Sequence, residues 1–221
     1  MSLDNSLSLR IACDGESSSG KSTAAKLISK KYNLFCMHSG LLFRYASYLI
    51  IKHKPKKIIP FLKKRFKNLN YKHLLRFNLH SQKISNHTAI LAKQKKVRLI
   101  IKALQKKIIK MHHRICCEGR DQASAILKKN PRYDVAFYFE CRLSTSSVRR
   151  WIDLKKKIPL KEVKKSLRTR TLLDKKRRYN PLKKVKDAVL IRTDILSKKA
   201  MITKMSKEIE KKLKKKYAGS I

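Results

Sequence analysis

The sequence predicts an α/β fold in which a mostly parallel sheet is flanked by helices. Two observations predict it. Short apolar runs alternate with segments of helical periodicity along the chain, and the first 40 residues give a strand, a glycine-containing loop, a helix and a second strand. The length of 221 residues suits one compact domain, and 42% hydrophobic residues can fill its core. We therefore expect a single domain over residues 1–221.

The first 53 residues predict an alternating series of strands and helices. Leu7–Cys13 is a short apolar run typical of a buried strand, and Asp14–Gly20 is polar and rich in turn residues. Lys21–Lys31 carries apolar residues at the spacing of an amphipathic helix. Asn33–Met37 predicts the second strand, and Leu41–His53 predicts a helix after a His-Ser-Gly break.

The middle of the chain is more basic and less regular. Lys54–Phe66 contains two prolines among its lysines, so we expect an exposed arm or flap there. Asn68–Lys96 shows no decisive pattern. His87–Met111 carries apolar residues at helical spacing and predicts one long basic amphipathic helix. Ile115–Glu118 predicts the next short strand.

The last third returns to clear alternation. Asp134–Cys141 is apolar and aromatic enough for a central strand. Thr145–Lys155 and Leu160–Tyr179 predict two helices separated by a proline. Ala188–Arg192 predicts the last strand, and Ser197–Lys216 predicts a C-terminal helix. The element order therefore supports a parallel sheet.

The charge balance is far from neutral, with 58 Lys and Arg against 14 Asp and Glu and a formal net charge of +44. A nucleic-acid-binding surface and a solvated coat of lysines both fit this composition. We favour the coat, because the lysines spread along the whole chain and no repeated interleaving of aromatic and basic residues occurs. No specific nucleic-acid partner is expected, although the positive field should attract nucleotide anions.

Five cysteines and the absence of a leader pattern bear on the compartment. The cysteine number is odd, no Cys-x-x-Cys occurs, and four of the five lie beside or within apolar runs. We expect small buried hydrophobes rather than disulfides or a zinc site. The N-terminus lacks a secretory pattern, and the apolar stretch Leu41–Ile51 is too short to span a bilayer. We expect a cytoplasmic monomer with no membrane partner.

A phosphate-binding loop is the most informative motif of the chain. Gly15-Glu16-Ser17-Ser18-Ser19-Gly20-Lys21-Ser22 fits the spacing Gly-x-x-x-x-Gly-Lys-Ser. Such glycines let backbone N–H groups surround phosphate oxygens at the N-terminus of a helix. The predicted nucleoside-triphosphate site comprises Gly15, Glu16, Ser17, Ser18, Ser19, Gly20, Lys21, Ser22 and Thr23.

Within this loop, Lys21 should reach the β- and γ-phosphates, and the hydroxyl of Ser22 should bind Mg²⁺. A serine-rich turn could fit the pattern by chance, but a predicted strand before it and a predicted helix after it favour a genuine site. Two features are unusual. Glu16 adds an anion near phosphates, and Ser18 stands where many such loops have a flexible glycine.

Further strings follow the loop in a recognisable order. They are Met37–Arg44 (MHSGLLFR), Val97-Arg98 with Gln105, Glu118–Asp121 (EGRD), Arg170–Leu182 (RTLLDKKRRYNPL) and Asp187–Thr193 (DAVLIRT). In order and spacing they resemble the signature segments of bacterial-type cytidylate (CMP) kinases, which are P-loop nucleoside monophosphate kinases. The resemblance covers about Leu9 to Ser197, and the string from Arg170 to Leu182 is its most specific part.

The resemblance implies a P-loop kinase fold with three parts. These are a core of about residues 7–53, 98–150 and 180–221, a small monophosphate-binding insert of about residues 54–97, and a lid of about residues 155–170. It implies ATP as the phosphoryl donor, Mg²⁺ as the metal, and CMP or dCMP as the acceptor. Arg149 and Arg150 resemble the arginines that open the lid.

The resemblance also implies residue roles. Asp121 and Arg98 would read the edge of cytosine, and Asp174 would hold the ribose. The implied catalytic residues are Lys21, Arg120, Arg170 and Arg177. The implied acceptor-binding residues are Ser39, Arg44, Arg98, Gly119, Arg120, Asp121, Arg170, Asp174 and Arg177.

The arginines also make chemical sense without the family. Phosphoryl transfer needs charge neutralised on both donor and acceptor, and a guanidinium group binds phosphate through two parallel hydrogen bonds. Arg170, Asp174 and Arg177 are four and three residues apart, so we expect them on one helical face. Taken alone, this triplet is better explained by an intrahelical salt bridge, but acidic residues are scarce in the chain, so an Asp beside two arginines carries more weight.

Several positions depart from the family pattern, so alternatives stay open. They are His38 and Glu118 in place of Asp, His80 in place of Arg, Ala89 in place of Ser, Ala123-Ser124 in place of Gly-Thr, and Arg192 in place of Asp. Another small P-loop kinase, acting on UMP or a coenzyme precursor, fits much of the same evidence. A basic nucleic-acid-binding protein with a vestigial loop is the alternative from a different class.

Overall fold

The computed structural model describes residues 6–218, which form one five-stranded sheet with helices on both faces. The strands are β1 (Leu9–Gly15), β2 (Phe35–His38), β3 (Arg114–Gly119), β4 (Val135–Glu140) and β5 (Val189–Arg192). The spatial order is β2-β3-β1-β4-β5, and all four neighbouring pairs are parallel. The predicted α/β class is confirmed. Because the strands are parallel, their carboxyl ends share one edge, where such sheets bind ligands.

Helices connect the strands and cover both faces. Within residues 6–218 they are α1 (Lys21–Lys31), α2 (Ser39–His53), α3 (Ile58–Lys67), α4 (Tyr71–Leu74), α5 (Gln82–Leu91), α6 (Lys95–Met111), α7 (Leu143–Asp153), α8 (Leu160–Lys176) and α9 (Lys198–Lys216). A π-helical turn at Gln122–Ile126 follows β3. No helix in this part of the chain is both long and apolar enough to cross a membrane.

The alternation of side chains along β1 divides the core into two layers. Leu9, Ile11 and Cys13 point to the layer that α1 and α9 complete, whereas Ala12 points to the layer beneath α2 and α6. Both faces of the central strand are buried, as expected for a parallel sheet covered by helices. The sheet is therefore a rigid base for the loops at its carboxyl edge.

The first strand is longer at its C-terminal end than the sequence predicts. Asp14 and Gly15 were expected in a turn, but both belong to β1, where they pair with Gly119 and Phe139 respectively. A Cβ at Gly15 would lie 2.3 Å from the carbonyl oxygen of Phe139, so only glycine fits between these strands. The local sequence showed turn residues and could not show this close neighbour.

The single long helix predicted for His87–Met111 is wrong. Helix α5 ends at Leu91 and α6 begins at Lys95. The chain changes direction at residues 92–94, and the carbonyl oxygen of Ala92 accepts a hydrogen bond from Nη1 of Arg98 at 3.0 Å. No Gly or Pro marks this break, so hydrophobic periodicity runs through it undetected.

The exposed arm predicted for Lys54–Phe66 is also wrong over most of its length. It contains α3, whose Leu62 and Phe66 are buried and whose main helical neighbour is α6. Pro60 lies in the first turn of α3, where backbone N–H groups have no partner within the helix, so the proline is tolerated. The prolines therefore mark the entry to a helix rather than an extended segment.

The remaining boundaries differ by one to three residues. The largest of these differences concerns α8, which ends at Lys176 rather than Tyr179, so Arg177 follows the helix with an extended backbone. Ser39 belongs to α2 rather than to a break. All five cysteines are free thiols, and all are buried except Cys36, which is half-buried.

Candidate active site

A cleft of about 1700 Å³ lies at the carboxyl edge of the sheet. It brings together nearly all of the predicted site residues: Ser17, Ser18, Ser19, Gly20, Lys21, Ser22, Thr23, Ser39, Arg44, Arg98, Gly119, Arg120, Asp121, Arg170, Asp174 and Arg177. Gly15 and Glu16 do not line it. The loop and the downstream arginines therefore share one hollow, although they come from five separate parts of the chain.

The loop has the backbone conformation that its sequence requires. Gly20 precedes α1 with a φ of 79°, in the region that favours glycine. Ser18 also has a positive φ of 56°, which costs a residue with a side chain about 1 kcal/mol. This is the position where the sequence already suggested a missing glycine. The N-terminus of α1 points its unpaired N–H groups into the cleft, which favours an anion.

Thr193 directly follows β5 and is hydrogen-bonded to the phosphate-binding loop. Its hydroxyl donates to the carbonyl oxygen of Ser19 at 3.0 Å. Arg149 of α7 donates to both the hydroxyl and the carbonyl oxygen of Thr193, at 3.0 and 2.7 Å. Sequence reasoning did not assign Thr193 to the site, although it lies at the end of a string used for the family resemblance.

Lys21 lies in the cleft with its ammonium group already held. Nζ donates to the carbonyl oxygen of Glu16 at 2.8 Å and lies 3.6 Å from a carboxylate oxygen of Glu118. Burial, together with the positive charges of Arg120 and Arg170, lowers the pKa of Lys21 to about 7, although the carboxylates of Glu118 and Asp174 oppose the shift. An anionic ligand would stabilise the charged form, so this lysine favours phosphate.

Glu118 is shared between Lys21 and His38. Its second carboxylate oxygen lies 3.0 Å from Nδ1 of His38, and the two residues are register neighbours in β3 and β2. Burial disfavours charge at both groups, but the contact with Glu118 and the neighbouring Cys36 raise the pKa of His38 to about 10. Lys21 and His38 hold the pKa of Glu118 at about 2. The two departures from the family pattern therefore form one ion pair.

Asp174 holds two of the predicted phosphate-binding arginines. Its carboxylate oxygens accept from Nε of Arg120 at 3.0 Å and from Nη1 of Arg177 at 3.2 Å. Arg120 also donates to the hydroxyl of Ser17 at 3.0 Å, which connects this pair to the loop. Arg170, Asp174 and Arg177 do not share a helical face, since Arg177 lies beyond α8, but Arg177 folds back onto the carboxylate.

Arg170 and Arg44 place two more guanidinium groups in the cleft. Arg44 donates to the carbonyl oxygen of Leu79 and the hydroxyl of Ser85, at 2.8 and 2.9 Å. Arg170 makes no hydrogen bond or ion pair within residues 6–218. Burial, together with the other arginines, lowers the pKa of Arg170 to about 10 and that of Arg44 to about 9. The cleft therefore concentrates positive charge, which an anionic ligand would neutralise.

Arg98 and Asp121 form a buried pair in the wall of the cleft. Nη2 of Arg98 donates to a carboxylate oxygen of Asp121, and the guanidinium lies over the ring of Phe43, 5.3 Å from its centroid. Nη2 of Arg177 lies 3.7 Å from the other oxygen of Asp121. Nε of Arg98 and Nη2 of Arg177 are buried and have no hydrogen-bond partner among residues 6–218. These two nitrogen atoms can therefore donate hydrogen bonds to a ligand.

Asp14 supports the site from beneath, and the sequence interpretation did not assign it a role. It lies in β1, is fully buried, and accepts hydrogen bonds from the backbone N–H groups of Gln122 and Ala123, both at 2.8 Å. Burial raises its pKa to about 7, although these two donors favour the charged form. Asp14 thereby fixes the turn that follows Arg120 and Asp121. The sequence offered one signal for Asp14: it is a carboxylate directly before Gly15 in a chain with few acidic residues.

Replacing Asp14 with Asn should destabilise the protein by about 1–3 kcal/mol, because one N–H group of the turn would lose its buried acceptor. Chemical denaturation of both proteins would measure this. Asp134→Asn is a matched control, since Asp134 accepts from the backbone N–H of Arg10 at 2.7 Å in a less buried place. A loss for Asp14→Asn no larger than for the control would contradict the assigned role.

Glu16, the unusual acid of the loop, turns away from the cleft. Its carboxylate pairs with Nζ of Lys175 on α8 at 2.6 Å. Its charge is therefore compensated by a lysine, and its backbone carbonyl serves Lys21 instead. The acid connects the loop to α8 rather than facing the space where phosphates would lie.

Comparison with known proteins decides the family. A family profile described as cytidylate kinase matches residues 11–211, which is most of the chain. The chain belongs to the cytidylate kinase family. As a member of this family it is a nucleoside monophosphate kinase, an enzyme that transfers phosphoryl groups. The resemblance to cytidylate kinases is therefore confirmed at the level of the family.

Individual relatives agree with the cytidylate kinase family. A cytidylate kinase of Clostridium botulinum is 28% identical, over 93% of this chain and 99% of that protein. A cytidylate kinase of Mesomycoplasma hyopneumoniae is 29% identical, over 93% of this chain and 95% of that protein. A crystal structure of an uncharacterized protein from Eubacterium ventriosum covers 94% of this chain and 99% of its own, at 15% identity and a TM-score of 0.51. That likeness supports the fold.

Proposed function

We propose that this cytidylate kinase family member transfers the γ-phosphoryl group of ATP to CMP or dCMP. The observation that carries the proposal is the shared cleft, in which Lys21 and the loop face Arg120, Arg170 and Arg177. Two polyanions can meet there only if their charges are neutralised at close range. The family and the names of its relatives supply the choice of cytosine nucleotides.

The donor would bind at the loop. The backbone N–H groups of residues 17–21 and the N-terminus of α1 suit the β- and γ-phosphates of ATP. The hydroxyl of Ser22 lines the cleft and is exposed, so it fits a ligand of Mg²⁺. Mg²⁺, when bound, would neutralise charge on the phosphate oxygens. Lys21 would exchange the carbonyl oxygen of Glu16 for a phosphate oxygen.

The acceptor would bind on the opposite side. Arg44, Arg120, Arg170 and Arg177 would hold its phosphate and the transferred group, with Ser39 and Gly119 in the wall of the cleft. Arg98 and Asp121 would read the base, since a carboxylate can accept from the exocyclic amine of cytosine but not from the corresponding oxygen of uracil. The unpaired Nε of Arg98 supports a polar ligand at this place.

Two segments would exclude water from the reaction. Residues 54–97 would be the monophosphate-binding insert, and residues 155–170 would be the lid. Arg150 donates to the carbonyl oxygen of His80 at 3.0 Å, and Nε2 of Gln82 donates to the hydroxyl of Ser166 at 2.9 Å. The contact between Gln82 and Ser166 joins the two segments, and Arg150 holds the insert from α7, which together support closure over bound nucleotides. Transfer would be direct and in line, without a covalent enzyme intermediate.

The first test is ADP release, coupled to a spectrophotometric readout, with ATP, Mg²⁺ and each of CMP, dCMP, UMP and AMP as acceptor. We expect the highest kcat/KM with CMP or dCMP. Preference for UMP would instead support a related small kinase. No acceptor-dependent ADP release would reject the proposal. We also propose a cytoplasmic monomer, and the five free thiols support a reducing compartment.

Selectivity for the base should depend on Asp121 and Arg98. In Asp121→Ala, kcat/KM for CMP should fall by about 10²-fold, since a buried Arg98 loses its partner and the amine of cytosine loses its acceptor. The fall for UMP should be smaller, so the ratio of the two kcat/KM values measures base reading. Equal falls for both acceptors would show that the pair is structural only. Arg98→Met provides the reciprocal variant.

The pH dependence of kcat/KM should reflect Lys21. The pKa of this lysine is lowered to about 7 in the free protein, so its charge is present below that pH and lost above it. We expect kcat/KM to fall as the pH rises through about 7. In kcat the fall should move to higher pH, because bound phosphates stabilise the ammonium. In Lys21→Arg the side chain stays charged over this pH range. Its kcat/KM should therefore show no fall near pH 7, even if the variant is slower than the unaltered protein.

A further inference from the structure

A second cavity lies outside the active site, beside α3 and α4. It has a volume of about 970 Å³, and we call it the α3 pocket. Its cationic or potentially cationic walls are Lys64, Arg65, Lys72, His73 and Arg76, and its floor includes Tyr45, Phe61 and Leu69. Arg76 is the one lining residue that it shares with the active-site cleft, so the two spaces adjoin but are separate.

The charges around the α3 pocket are not neutralised locally. Asn68 and Asn70 are the remaining lining residues, so no carboxylate borders the space. Within residues 6–218, no carboxylate pairs with Lys64, Arg65, Lys72 or Arg76. The sequence offers none nearby along the chain either, because no Asp or Glu occurs at residues 17–117. The positive potential of this surface must be balanced by anions from solution.

The floor of the α3 pocket adds aromatic surface. The guanidinium of Arg65 lies over the ring of Phe61, 5.5 Å from its centroid, and Phe61 is only half-buried. Tyr45 is buried, with 9% of its surface exposed, and packs against Phe66 and Phe77 with ring centroids 6.1 and 5.3 Å away, so Phe61 rather than Tyr45 presents a ring face to a base. The interleaving of aromatic and basic residues is not repeated along the chain, but α3 combines Phe61 with Lys64 and Arg65, and the fold adds Lys72 and Arg76 from the α4 region. The fold brings the two residue types together.

We infer that the α3 pocket binds single-stranded nucleic acid without sequence preference. Aromatic rings accept the faces of any base, and a row of lysines and arginines follows the phosphates. The lysines and arginines come from both α3 and the α4 region, so they line the space on more than one side and suit successive phosphates of a strand. A concave aromatic floor also suits bases better than it suits the flat surface of an anionic membrane. The general lysine excess alone would not select this place.

The test compares two triple variants that remove equal charge. Lys64→Gln/Arg65→Gln/Lys72→Gln alters the α3 pocket, whereas Lys207→Gln/Lys211→Gln/Lys214→Gln alters the exposed face of α9. Fluorescence anisotropy with a labelled oligo(dT) of about 20 nucleotides, at roughly 0.1 M salt, measures affinity. We expect the pocket variant to bind at least about 10-fold more weakly and the α9 variant to change by less than about 2-fold. Equal losses would overturn the inference in favour of a diffuse lysine coat.

Three further measurements locate the strand. Phe61→Leu keeps an apolar side chain without an aromatic face and should weaken binding several-fold, by the loss of one stacked base. Excess CMP with ATP should not displace the oligonucleotide, and displacement would place it in the cleft and overturn the inference. Vesicles with anionic lipid should not compete, and binding of vesicles but not oligonucleotide would likewise overturn it.

The outcome does not depend on turnover. None of Lys64, Arg65 and Lys72 lines the active-site cleft, and the oligonucleotide titration contains neither ATP nor CMP, so its readout does not require the kinase reaction. Loss of oligonucleotide binding in the pocket variant supports the inference, whereas a missing kinase rate in the unaltered protein would reject only the proposed function. Tight binding that survives the pocket variant contradicts the α3 pocket as the site.

Discussion

Replacing Lys21 with Ala should reduce kcat/KM for CMP phosphorylation by about 10²–10³-fold, because one ammonium group aimed at the transferred phosphate is worth about 3–4 kcal/mol. The fold should remain, since Ala is a good helix former at the first position of α1 and Glu118 keeps its contact with His38. Steady-state kinetics at pH 6.5, where Lys21 is charged, would measure the loss, and circular dichroism would check the fold.

The matched control for Lys21 is Lys26, which also lies on α1 and lines the cleft but is exposed. Lys26→Ala should reduce kcat/KM far less than Lys21→Ala, because Lys26 lies beyond the loop that holds the phosphates. A comparable loss in both variants would mean that the general positive potential, rather than the position of Lys21, supports the reaction. A normal rate in Lys21→Ala would remove the basis of the proposed donor site.

Replacing Arg170 with Met should lower activity and raise stability at the same time. The guanidinium makes no hydrogen bond or ion pair among residues 6–218, and burial with the positive charges of Arg120 and Arg150 outweighs the opposing charges of Asp174 and Glu118, so its removal should relieve repulsion in the cleft. In the reaction it would hold the transferred phosphoryl group, so kcat should fall by about 10²–10³-fold. Thermal denaturation without nucleotide measures the expected gain in stability. Steady-state kinetics measure the expected fall in kcat.

Arg168 is the matched control for Arg170. It lies on the same helix, two residues earlier, and is exposed outside the cleft. Arg168→Met should leave kcat within about 2-fold and change stability by less than about 0.5 kcal/mol. A variant of Arg170 that is less stable than the unaltered protein would show that this side chain is a structural element, contrary to its assigned part in phosphate binding.

Sequence patterns predicted well those features that depend on neighbours along the chain. The unit of strand, loop and helix from Leu9 to Lys31 follows from apolar spacing and glycines, and the structure places it almost as expected. The cleft residues were also predictable, because a phosphate-binding loop and several arginines restrict the chemistry to anionic ligands. The close approach of Gly15 to Phe139 could not be predicted, however, because the two residues are far apart in the sequence.

Features that depend on distant partners could not be read from periodicity. The break between α5 and α6 has no Gly or Pro, and it is fixed by a contact from Arg98 back to Ala92. The pairing of Arg120 with Asp174 joins residues 54 positions apart, so no local pattern contains it. Asp14 likewise acts on a turn that follows a different strand. The assembled fold was needed to show which polar groups are paired and which are left for ligands.

Helix α8 contacts both sides of the cleft, and this has a consequence for how the two proposed substrates affect each other's binding. Lys175 pairs with Glu16 of the phosphate-binding loop, and Ser166 accepts a hydrogen bond from Gln82 of the proposed insert. If binding of one substrate shifts α8, the shift therefore also changes the binding site of the other substrate. Thermodynamic reciprocity then requires that each nucleotide alter the partner's dissociation constant by the same factor. Calorimetric titration of CMP with and without a non-hydrolysable ATP analogue would put a value on that shared factor.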